Sequence, residues 1–163
     1  MNSEIKESAT RLLESSNVIK ILSKYGKVYI VGSYAFDLMT EPDIDVVLVT
    51  NEPKESSEEA VSDIAKLHLF QKIEYGDFKK FPRNNRPESY IFNMRTPWEG
   101  KMFEIEVWFL EDAKETIEFA GKMKKISDAE RMEILKLKEK RKEDGLDKYK
   151  LSSYEIYKKV LKL

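Results

Sequence analysis

Residues 44–49 read Ile-Asp-Val-Val-Leu-Val, an almost unbroken apolar run. A strand of that composition has no polar side to offer water, the pattern of a strand covered on both faces. Asp is disfavoured in strands, yet Asp43 and Asp45 head this one, and side chains at i and i+2 share a face. Two carboxylates about 5 Å apart repel by about 3 kcal/mol at an effective dielectric of 20. That cost calls for a cation, and carboxylate oxygens are ligands that Mg²⁺ prefers, together with substrate phosphates. The alternative is a solvated turn at the start of the strand, with Asp43 as a cap.

The rest of the chain supplies the layers such a strand needs. Apolar residues at helical spacing behind a Ser3 cap predict a helix over 3–24. Gly26 ends it, and 27–31 reads as a short strand. A second helix is expected to start near Ser33 and to stop before Pro42, because the residue preceding a proline avoids the helical region. A polar loop over 51–57 leads to an amphipathic helix over 57–69. Residues 70–78 and 88–95 read as strands, 96–100 as a turn and 101–110 as the clearest strand. Helices follow at 112–125, 128–143 and 152–162. This order predicts an α/β (α+β) domain: a mixed sheet flanked by helices, with a helical C-terminal extension.

With 163 residues, 41% hydrophobic and 36% charged, the chain has enough material for one folded core and is not disordered. No run of eighteen apolar residues occurs, so no membrane partner is expected. Residues 1–16 lack the basic start and apolar segment of a secretory signal, and a cytoplasmic location is the expectation. The absence of cysteine excludes disulfides and thiolate metal sites. Charge is uneven: residues 1–121 carry 15 basic and 22 acidic side chains, and 122–163 carry 14 and 8. The expected division is a core over 1–121 and a basic helical extension over 122–163, packed on or beside it. The extension reads as a lysine-rich solvated helical face or as a surface for an anionic partner.

Two further stretches bear on chemistry. Gly32 permits a close or left-handed turn after the first strand. Ser33 then falls at an expected helix N-terminus, where free N–H groups and the helix dipole favour an anion. In 101–110, Phe103, Ile105, Val107 and Phe109 share one face, while Glu104, Glu106 and Trp108 share the other. A carboxylate on a strand beside Asp43 and Asp45 would complete a cluster of three.

Val31-Gly32-Ser33, nine residues, then Asp43-Ile44-Asp45-Val46 resembles the signature of the DNA polymerase beta-like nucleotidyltransferase superfamily. Ile105-Glu106-Val107 resembles its third element, an acidic residue between apolar ones on a later strand. The resemblance covers roughly residues 27–110, and the small, single-domain minimal nucleotidyltransferases are about this size. It implies attack of an acceptor hydroxyl on the alpha-phosphate of a nucleoside triphosphate such as ATP, with release of pyrophosphate. It implies two ions of Mg²⁺ or Mn²⁺, held by Asp43, Asp45 and Glu106 as the catalytic and metal-binding residues. Gly32 and Ser33 would hold the terminal phosphates. Two positions depart from the pattern: Asp37 stands where many small members carry glycine, and Glu106 where the third carboxylate is commonly Asp.

Between 74 and 95, Tyr75, Phe78, Phe81 and Tyr90 interleave with Lys79, Lys80, Arg83, Arg86 and Arg95. Basic residues beside aromatics suit single-stranded nucleic acid, and a hairpin with a charged loop and inward aromatics fits equally. Arg83, Arg95 and Trp108 are candidate substrate contacts. His68, the one histidine, and Trp98 read as surface or packing residues. The acceptor is left open among a small molecule, a protein and RNA, as is the oligomeric state. The rival reading is a catalytically impaired module of the same fold that binds a protein or RNA partner through its basic tail. Metal-dependent phosphoester hydrolysis explains Gly32–Ser33 less well.

Overall fold

A computed structural model describes residues 2–83, 86–148 and 150–163. Helices α1 (Asn2–Ser16) and α2 (Val18–Leu22) lead into β1 (Lys27–Val31), a single helical turn α3 (Gly32–Ala35) and β2 (Asp43–Val49). Helix α4 (Pro53–Ala65) precedes β3 (Lys72–Asp77), β4 (Tyr90–Trp98) and β5 (Lys101–Leu110). Three helices complete the chain: α5 (Lys114–Met123), α6 (Asp128–Glu143) and α7 (Ser153–Leu161).

The five strands form one mixed sheet in the order β1-β2-β5-β4-β3. Only β2 and β5 run parallel, at the centre; the other pairs are antiparallel. The two faces differ in kind. Ile44, Val46 and Leu48 of β2, with Phe103, Ile105 and Val107 of β5, enter the main core with Leu12, Leu22 and Ile64 of α1, α2 and α4. On the opposite face, Val47, Ile91, Trp108 and Leu110 gather in a smaller cluster near one end. The carboxylates of β2 and β5 occupy the other end. The apolar run of β2 is thus covered on both sides, and the expected mixed sheet flanked by helices is observed.

Several boundaries differ from the sequence reading, each for a local reason. The helix expected over 3–24 breaks at Asn17, whose φ of 57° is a left-handed conformation that Asn tolerates. The helix expected from Ser33 toward Pro42 is only one turn. It ends where Asp37 turns left-handed at φ 59° and Leu38 N–H donates to the Ser33 carbonyl at 2.9 Å, a Schellman closure. A left-handed closing residue favours glycine, and Asp is among the side chains that tolerate that conformation. Helix α4 begins earlier than expected because Pro53 fits the first helical turn. Strand β4 runs on to Trp98, so the turn before β5 is two residues rather than five. Glu99 and Gly100, at φ 46° and 76°, supply the double positive φ of a tight hairpin. The carboxylate of Glu99 ties this turn to α1 through Arg11 and Ser8, which hold its pKa down to about 2.

Helices α5, α6 and α7 bury Met123, Ile134, Ile156, Tyr157 and Val160 against Phe36 and Leu38 of the α3–β2 loop. Their basic residues are not simply a solvated face. Lys138 and Arg141 are each only 2% exposed. Lys138 Nζ donates to the Leu38 carbonyl at 2.7 Å, and Arg141 NH2 pairs with Glu41 at 3.2 Å. Lys142 and Arg131 reach the carbonyls of Thr40 and Phe36. One face of α6 therefore supplies the donors that an irregular loop would otherwise lack.

Candidate active site

The parallel pairing of β2 with β5 builds the site. Its register sets Asp43 opposite Glu104 and Asp45 opposite Glu106, so four carboxylates form a two-by-two patch on one sheet face. The next strand continues both rows with Arg95 beside Glu104 and Asn93 beside Glu106. On the other side, Val31 stands opposite Asp45 and delivers the chain to Gly32. Gly32 has φ 69°, and a β-carbon there would overlap the Asp45 carboxylate. The position favours glycine strongly, for its conformation and for the closeness of the backbone to Asp45. Ser33, 5% exposed, follows in α3. That single turn is not the longer helix expected from the sequence, so a helix dipole contributes little there.

The electrostatics follow from burying like charges together. Asp45 keeps a little accessible surface, yet burial is the main force raising its pKa to about 7, followed by the negative charges of Asp43 and Glu106. Burial also raises Asp43, against the pull of Lys148 and Lys138. Glu106 is raised by burial and held back by Arg86 and Lys148. Glu104 behaves oppositely. Burial pushes it up, but hydrogen bonds from Asn93 and Lys148 and the charge of Arg95 bring it below the usual carboxylate range. Lys138 is lowered to about 8 by burial, partly offset by Asp43.

The chain's own cations lie on the glutamates. Glu104 accepts from Arg95 Nε at 3.0 Å and Lys148 Nζ at 2.9 Å. Glu106 accepts from Arg86 NH1 at 3.1 Å. Among the described residues, no three Asp, Glu or His side chains converge to hold an ion as they are now placed. The donor chemistry nevertheless fits a hard divalent cation, since it offers carboxylate oxygens only. The gap that only glycine leaves beside Asp45 keeps that carboxylate open to the backbone turn.

Of the residues singled out from the sequence, Gly32, Ser33, Asp43, Asp45 and Glu106 come together here, and both glutamates of β5 face the aspartates. Arg95 belongs to the patch as a partner of Glu104. Trp108, 8% exposed, is mostly packed, one pair along β5 from Glu106. Arg83 stands apart, its guanidinium carbon 4.9 Å from the Phe78 ring centre. Phe81 is exposed, while Phe78 and Tyr90 are half-buried, so the aromatics of that segment only partly turn inward. Sequence reasoning missed the roles of Arg86, Lys138 and Lys148. Their one legible signal was charge, and in a chain this rich in lysine that signal is common.

The model of the nucleotidyltransferase domain family matches residues 15–156. No characterised protein matches by sequence alone. Among solved structures, a cytoplasmic RNA terminal U-transferase shares the fold with a TM-score of 0.67 at 15% identity, over 94% of this chain and 46% of that one. The GLD-2/RNP-8 complex gives 0.65 at 12% identity, over 95% and 53%. The RNA terminal uridylyl transferase Cid1 gives 0.60 at 15% identity, over 87% and 41%. The chain thus spans about half the length of the solved structures it matches. Because the family match runs from α1 into α7 and takes in every strand, the chain belongs to the nucleotidyltransferase domain family, with the polymerase beta-like fold.

Proposed function

We propose that the chain is a metal-dependent nucleotidyltransferase that moves a nucleoside monophosphate from a nucleoside triphosphate to an acceptor hydroxyl. The observation that carries this reading is the parallel register that sets Glu106 beside Asp45, directly against the Gly32 turn. The acceptor oxygen bonds to the alpha-phosphorus, the bond to the bridging oxygen breaks, and pyrophosphate leaves with the electron pair. Asp43, Asp45 and Glu106 are the residues that would hold Mg²⁺ or Mn²⁺; when bound, these ions supply charge stabilisation for the attacking and leaving oxygens. Glu106, raised above its ordinary pKa, is placed to take the hydroxyl proton. Gly32 gives the triphosphate close access to the backbone, and Ser33 supplies a hydroxyl donor to it. Arg95, Arg83 and Trp108 are the side chains from which substrate contacts are drawn.

An RNA 3′ end is the first acceptor to test, because two of the structural neighbours named above are an RNA terminal U-transferase and an RNA terminal uridylyl transferase, and ATP and UTP are the first donors. Small hydroxylated molecules and protein side chains remain in the same test. The rival reading, a non-catalytic module acting through its basic tail, would rest on the exposed lysines of the C-terminal helices, because Lys138 and Arg141 are buried against the α3–β2 loop. Among the described residues no helix is long and apolar enough to cross a membrane. The deciding experiment incubates the protein with each labelled triphosphate, Mg²⁺ or Mn²⁺, RNA oligonucleotides and a cell extract. Label is expected on one acceptor class and is expected to vanish in Asp45→Asn. Labelling that persists in that variant defeats the assignment.

A further inference from the structure

Glu106 does not wait with a free carboxylate. Among the described residues its ion-pair partner is Arg86, whose NH1 lies 3.1 Å from Oε1. The same guanidinium rests over Trp108, its carbon 4.9 Å from the ring centre. Trp108 meets Phe78 edge-on at 6.0 Å, and Arg83 covers Phe78 at 4.9 Å. Arg86 N–H also donates to the Arg83 carbonyl at 3.3 Å. Arg86 is thus seated on an aromatic shelf and aimed at the carboxylate that, on the reading above, completes the metal site.

The two glutamates differ in what holds them. Glu104 has two cations, one from inside the sheet, and its pairs are complete without an added ion. Glu106 has one, from outside regular structure, with 38% of the Arg86 side chain exposed against 14% of Glu106. An ion approaching Glu106 meets a positive guanidinium on the same oxygen, and like charges at that distance repel. Arg86 has open solvent to move into; Glu106, on the central β5 strand, does not.

We propose that Arg86 is the resident counter-ion of Glu106, which a divalent cation must displace, so that this arginine sets the metal affinity of the site. The inference rests on the metal-site reading of Asp43, Asp45 and Glu106. Leaving Glu106 also takes the guanidinium off the Trp108 face, so displacement carries an optical signature that activity does not report.

The test is a Mg²⁺ titration of the triphosphate-free protein, followed by calorimetry and by tryptophan emission. Arg86→Gln, which removes the charge and keeps much of the bulk, is expected to tighten Mg²⁺ binding about twofold to fivefold, the range of a partly exposed ion pair. Arg86→Lys, which keeps the charge but loses the planar seat on Trp108, is expected to fall between the parent and Arg86→Gln. The Mg²⁺-dependent emission change is expected in the parent, reduced in Arg86→Gln, where only the Trp108 hydrogen bond to Glu106 can still report the ion, and lost in Trp108→Phe. Circular dichroism and melting verify that each variant is folded; Arg86→Ala replaces Arg86→Gln if the latter is not. Binding that is unchanged or weakened in the folded neutral variant overturns the proposal. Asp45→Asn, run alongside, separates two failures. If it weakens Mg²⁺ binding while Arg86→Gln has no effect, only the counter-ion role falls. If neither substitution alters binding, the metal-site reading falls and this inference with it.

Discussion

Asp45→Asn tests the electrostatics of the site before any catalysis is measured. The Asp45 carboxyl titrates at about 7 in the folded chain, against 3.8 as its ordinary value. A group whose folded pKa is raised binds more protons folded than unfolded, so its stability is fully present below pH 4 and is lost as pH rises through 7. A shift of three units corresponds to about 4 kcal/mol; the remaining solvent contact of Asp45 reduces this to on the order of 2 kcal/mol. Asp43 and Glu106 are raised as well and act in the same direction. Lys138, lowered to about 8, is protonated in both states below that pH and adds no slope there. Without divalent ions, the parent should therefore lose stability between about pH 4 and 7. Asn keeps the shape and removes the charge, so the variant should be flatter with pH and more stable than the parent at pH 8 by on the order of 2 kcal/mol. Urea unfolding at a series of pH values, in EDTA, reads this directly. Mg²⁺ should then raise the parent's midpoint at pH 8 by mass action and leave the variant nearly unmoved. A variant whose stability falls as steeply with pH as the parent's refutes the reasoning.

Other outcomes follow from the same geometry. Gly32→Ala forces a β-carbon onto the Asp45 carboxylate at positive φ, and should cost about 1–3 kcal/mol in urea unfolding while abolishing Mg²⁺ binding. Ser33→Ala should cost about 1–3 kcal/mol of triphosphate affinity by calorimetry and leave nucleoside binding almost unchanged; equal loss for both ligands would reduce the serine to a structural role. Glu106→Gln should abolish label transfer while triphosphate binding persists, whereas Glu104→Gln should retain most activity because Glu104 is already held by Arg95 and Lys148.

The aspartates of β2 were legible because a period of two and a hydrophobic surround leave them few other places to point. Phe103 through Phe109 were legible for the same reason. Which glutamate stands beside which aspartate was not, because register between strands far apart in the chain is written in neither strand alone. The short α3 escaped notice because its stop signal, Asp37, is a residue that tolerates the left-handed region but does not require it. Lys138 and Arg141 escaped because a lysine-rich helix ordinarily faces water; here the neighbouring loop presents bare carbonyls that need donors. Arg86 was visible as a basic residue among aromatics, but its partner lies twenty residues away on β5.

The central parallel seam also bears on time. Strand β5 meets β4 through a two-residue turn but meets β2 across about sixty residues of chain, and long loops close at greater entropic cost. The hairpin is expected to form early and the seam late, so the repulsion between the β2 carboxylates and those of β5 arises on the downhill side of the folding barrier. A load placed there shortens the lifetime of the folded chain more than it delays folding. Whatever neutralises the seam, an added ion or a lost charge, is expected to act as a clasp, slowing the opening of the domain while leaving its rate of assembly nearly the same.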